Sequence, residues 1–189
     1  MNKLSALTKS IFTAVCMALC IVLPAALHSI PNAGTLFSPM HLPVLLCGLI
    51  CGWQYGLLCG LVSPLLSSMI TGMPAMAKLP FMMLELGIYG LVVGLFMRFF
   101  HSKRLLPDLY ASLLTAMLSG RIIAGIVKAL TLTDGSYSFA VWASGYFISC
   151  LPGIVAQLIL IPVLYVALER AHLIPVRYPA AHTTTGNAA

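Results

Sequence analysis

The sequence predicts an all-α integral membrane protein of six transmembrane helices with both termini cytoplasmic. Three observations predict it. First, 60% of the 189 residues are hydrophobic and 7% are charged, with a mean hydropathy of +1.02, which is outside the range of water-soluble domains. Second, apolar runs of about 20 residues, the length that crosses a bilayer, recur along the chain. Third, most cations fall between those runs, as loop charges do. Arg121 and Lys128 are exceptions, since both lie inside an apolar run. Ionisable residues at membrane depth are costly and mark solute or ion paths.

The first span is expected over residues 10–28. Lys3 and Lys9 precede it as in a signal peptide, but the apolar stretch is long for one, so a retained helix is the better reading. A loop over 29–40 contains Pro31, Asn32, Gly34 and Pro39. The second span starts near His41, with Pro43 in its first turn, where proline is tolerated. The third covers 55–71, and Gly72-Met73-Pro74 ends it. Together, 41–71 is too long for one span and short for two. Charge decides for two, because six spans put Lys3, Lys9, Arg98, Lys103, Arg104, Arg170 and Arg177 on one side, the cytoplasm. The second span must then be short and sheltered, and Trp53-Gln54-Tyr55 would turn the chain at the interface. Spans four to six are expected at 79–99, 108–132 and 139–168, the last kinked at Pro152-Gly153. Residues 1–174 form one transmembrane domain, and the Thr/Ala-rich segment 175–189 is expected to be a disordered cytoplasmic tail.

Several function classes are excluded. No phosphate-binding G-x-x-x-x-G-K-[ST] loop is present. Uphill transport would therefore need an ion gradient or a partner. The net charge of +6 is scattered between spans without a basic-aromatic patch, so nucleic acid is not expected. The six cysteines include two i,i+4 pairs, not C-x-x-C pairs. They read as small apolar packing residues. The five histidines form no ligand motif, and no metal or cofactor is expected. Gly48, Gly52, Gly56 and Gly60 recur every fourth residue, which suits close helix packing.

The candidate site follows from charge and helical spacing. Arg121 and Lys128 are seven apart, on one helix face, with Gly120 and Gly125 beside them. Glu85 is the only acid expected within the membrane, and one acid cannot fully pair with two cations. A surplus positive charge suits an anionic solute such as a carboxylate. Internal pairing and snorkelling of Lys128 remain open. Tyr89 shares a face with Glu85. Trp142, Tyr146 and Ser149 form a similar stripe, at the level of Lys128. Asn32 and His41, in the first loop, are placed to close over a pocket. Gln157 lies deeper and reads as a bridge between helices. Ala14 and Ala18, four apart, offer a flat face for another helix.

These residues resemble the substrate-binding (S) component of energy-coupling-factor (ECF) vitamin transporters. The resemblance covers nearly the whole chain. It rests on size, six spans, the basic loop at 98–104 and Ala14-Val15-Cys16-Met17-Ala18, similar to the motif by which such components dock. Phe37 to Gly52, Ser63 to Ser68 and Thr71 to Pro74 resemble one branch. The resemblance implies a multi-pass protein of a bacterial plasma membrane. It would bind a water-soluble vitamin from outside and topple to carry it inward. The coupling protein and two ATPases would be its partners, so the chain itself would not be an enzyme. Arg121 and Lys128 favour an acid, with pantothenate the first choice and folate or a vitamin B6 compound the alternatives. The competing class is an autonomous ion-coupled carrier, although no internal repeat is evident.

Overall fold

The computed structural model describes residues 4–27, 36–131 and 138–178. Its regular structure among those residues is entirely helical. α1 spans Ala6–Ala26, and the Ser5 hydroxyl caps it by accepting from the Thr8 N–H. α2 (His41–Cys51), α3 (Trp53–Thr71), α4 (Leu79–Phe99) and α5 (Leu105–Thr131) follow. α6 (Phe139–Ala143) runs into a π-helical turn, Ser144–Ile148, and α7 (Leu151–Arg170) completes the chain.

Five of these helices, α1, α3, α4, α5 and α7, are long and apolar enough to cross a membrane. α2 has eleven residues and rises about 16 Å, roughly half the hydrocarbon thickness. It is short and sheltered, as the charge argument required. Only Leu42 and Ile50 are not buried. The turn after it is tighter than expected. Gly52 alone reverses the chain at φ 95° and ψ 173°, a conformation open to glycine. Trp53 already belongs to α3. The last span also differs from expectation. It breaks into α6, the π turn and α7, because Ser138 caps a short first segment and Pro152 starts a new helix.

Side-chain pairings fix the order of the bundle. Cys51 meets the Lys9 carbonyl, Cys47 the Thr13 hydroxyl and Cys20 the Met40 carbonyl, so α1 and α2 run antiparallel. α3 and α4 also run antiparallel. A Cβ on Gly56 would strike the Gly90 carbonyl, one on Gly60 the Leu86 carbonyl and one on Gly94 the Trp53 backbone. The glycine series thus packs helices, with α4 as its main partner. Buried Cys16, Cys20, Cys47, Cys51 and Cys59 fill the seam between α1, α2 and α3 as free thiols.

One end of the bundle carries Lys9, Arg98, Lys103, Arg104, Arg170 and Arg177. It is closed by a clasp. The Arg177 guanidinium donates to Asp108 Oδ2 at 3.0 Å and to the Met97 and Phe100 carbonyls. The Tyr178 hydroxyl donates to the same carboxylate, and Ser102 N–H donates to its other oxygen. The tail expected to be loose from residue 175 is therefore held at its start. Residues 179–189 lie outside the described residues.

Candidate functional site

The opposite end of the bundle holds the sequence-predicted polar residues. α5 places Arg121 inside, 3% exposed, with no hydrogen-bond partner at Nε. Gly120 beside it has no side chain, and the Tyr89 ring of α4 occupies that space. Tyr89 donates its hydroxyl to Glu85 Oε1 at 3.0 Å, the i,i+4 pair expected on α4. His41, first residue of α2, places Nε2 3.4 Å from the same oxygen and meets Tyr89 edge-on. Glu85 is thus committed to His41 and Tyr89. Arg121 lies within electrostatic range of Glu85. Neither the Arg177–Asp108 ion pair nor the His41–Glu85 contact includes Arg121.

The wall beyond Arg121 comes from α6 and the π turn. Trp142 Nε1 donates to the Arg121 carbonyl at 3.2 Å, and Gly125 leaves room for its indole. The Phe147 ring lies 5.7 Å from the Arg121 guanidinium carbon, within cation–π range. Trp142 also lines an apolar cleft of about 330 Å³ with Ile122, Gly125, Ile126, Ala129, Ser138 and Phe139. Lys128 and Tyr146 are half-buried, two turns along α5 and one turn beyond Trp142. Ser149 is exposed. The stripe expected of Trp142, Tyr146 and Ser149 assumed a regular helix. The π turn changes the register and places the Phe147 ring against Arg121. Aromatic content alone did not single out Phe147.

The approach to α2 completes the cluster. The Ser38 carbonyl accepts from the His41 N–H at 3.0 Å and from Gln157 Nε2 of α7 at 3.4 Å. Gly153, one turn before Gln157, lets α7 press against the Leu36 and Phe37 carbonyls. Gln157 therefore does bridge, but to the loop before α2. His41 Nδ1 and Gln157 Oε1 are buried without partners, like Arg121 Nε. Asn32 lies outside the described residues. No group of three or more His, Cys, Asp or Glu side chains is placed to hold a metal among the described residues.

α1 presents two faces. Thr13, Cys16 and Cys20 are buried against α2 and α3. Ala14 and Ala18 are exposed, with Leu7, Ile11, Val15 and Val22 beside them. An apolar bundle thus carries a buried unpaired cation at one end and a small-residue face outside. The family model for the substrate-specific component of ECF transporters matches residues 8–165. The chain belongs to this family. It is the substrate-binding subunit of a transporter and not an enzyme. As an S component it is a multi-pass membrane protein, a small molecule is its substrate, and the ECF module is its partner. Comparison with curated proteins and with solved structures returns no significant match.

Proposed function

We propose that this S component binds a small acidic water-soluble vitamin, pantothenate first among the candidates, from outside a bacterial plasma membrane. The observation that carries the reading is Arg121: a guanidinium 3% exposed, its Nε unpartnered, while the one nearby carboxylate is engaged by His41 and Tyr89. Arginine stays charged at any physiological pH, and a buried charge needs an opposite one. A carboxylate matches its planar fork. Lys128, Tyr146, Trp142 and the loop residue Asn32 are assigned assisting roles around the same anion. Ser149 belongs to the outer rim.

The orientation follows from charge. The clasped end carries the cations and faces the cytoplasm by the positive-inside rule. Both termini lie on that side, and the short α2 counts as the second of six crossings. Ala14 and Ala18 dock the ECF coupling protein, and two ATPases supply the energy. Ligand affinity and melting temperature of Arg121→Ala, Glu85→Gln and the double variant test the reading. Arg121→Ala is expected to weaken binding about ten- to a hundredfold, with Arg121→Lys restoring only part. Recovery of affinity in the double variant would make Arg121 a counter-ion of Glu85, and the case for an acidic ligand would end.

A further inference from the structure

We infer that Gln157 is a specificity-determining residue of this site, its Oε1 accepting a hydrogen bond from the solute. The substrate class is then a small carboxylate that also carries hydroxyl groups. The inference rests on the anion-binding reading of Arg121.

Gln157 is 2% exposed. Its amide orientation is settled by its neighbour, because a group facing the Ser38 carbonyl must be the NH₂. Oε1 is therefore the free end, an acceptor without a donor. Buried amide oxygens are normally paired, and an unpaired one disfavours the fold unless water or a ligand satisfies it. An apolar side chain of equal size would fill this position on α7 without that penalty.

Gln157 and Arg121 stand at two ends of one run of contacts. Gln157 meets Ser38, Ser38 meets His41, His41 meets Glu85, Glu85 meets Tyr89 and Tyr89 fills the space at Gly120. The unpartnered atoms at the two ends differ in character. Arg121 offers a charged donor and Gln157 a neutral acceptor. His41 adds a third, Nδ1. A simple carboxylate satisfies Arg121 alone. A carboxylate that also carries hydroxyl groups satisfies both ends.

The test is calorimetric titration of the purified S component in detergent with two probes. One is pantothenate. The other is its analogue lacking both hydroxyls. The wild-type protein is expected to bind the analogue about ten- to a hundredfold more weakly. Gln157→Met is expected to weaken pantothenate by a similar factor and the analogue by less than about threefold. Arg121→Met is expected to weaken both alike. Equal affinity of the wild type for both probes would overturn the inference, with Gln157 Oε1 then satisfied by water, and would leave the acid reading intact. Binding of neither probe would remove the pantothenate assignment and this inference with it. Should Gln157→Met fail to fold, the wild-type comparison decides alone.

Discussion

Arg121 and Asp108 show how differently one helix treats two buried charges. Asp108, in the first turn of α5, has a fully buried side chain and accepts from Ser102, Arg177 and Tyr178. Arg121, sixteen residues into the same helix by position, receives no such set. The first is a structural pair, and the second is the residue we propose as the anchor of the solute. Removing one partner of a buried pair costs about 3–5 kcal/mol. Asp108→Asn is therefore expected to lower the melting temperature markedly while ligand affinity holds, because the site lies at the other end of the bundle. Lost affinity at an unchanged melting temperature would contradict that separation. Much of this was legible. A cation inside an apolar run identifies itself, and i,i+4 spacing joined Glu85 to Tyr89. The His41–Glu85 pair was not legible, because it depends on where α2 starts relative to α4. Nor was the role of Phe147, which depends on the π turn, a backbone irregularity that hydrophobic periodicity does not encode.

Among the elements, α4 is the most constrained. It meets α3 backbone to backbone at Gly56–Gly90, Gly60–Leu86 and Trp53–Gly94. Overpacking of such a contact costs about 1–3 kcal/mol, so Gly90→Ala is expected to destabilise the protein by that order, read as a fall in melting temperature. A neutral effect would show that α3 and α4 separate easily. The four-residue glycine period was visible in the sequence. Its partner was not, since α4 carries Gly87, Gly90 and Gly94 at a different spacing. α1 behaves in the opposite way. Ala14 and Ala18 touch nothing that buries them, so bulk there leaves the bundle intact. Ala14→Trp or Ala18→Trp is expected to preserve ligand binding and abolish uptake by the assembled transporter. Parallel loss of affinity in detergent would place that face in the fold or the site instead.

At the scale of the whole molecule, the long apolar helices were predictable from hydropathy, and the length of α2 only as a constraint. Composition supplies no reason for an apolar helix to have half the usual spanning length. The reason lies in packing, since α2 is enclosed by α1, α3, α4 and α7 and needs no lipid-facing surface. The sequence carries no G-x-x-x-x-G-K-[ST] loop, and its family implies the ECF module as a partner. Liposomes containing this subunit alone are expected to bind the solute without accumulating it, and accumulation at the rate of the full complex with ATP would contradict the assignment. The short α2 has an electrical consequence as well. Ser38, Pro39 and Met40, which lead into α2, are buried in protein, as irregular backbone at membrane depth must be. On the proposed orientation, with the site open to the outer solution, the dry part of the barrier beneath it would shrink to about the 16 Å rise of α2. A transmembrane voltage falls across the dry part. The proposed anion arriving at Arg121 would then cross little of the field, and the work of about 2.3 kcal/mol per charge per 100 mV would fall on the inward step rather than on capture.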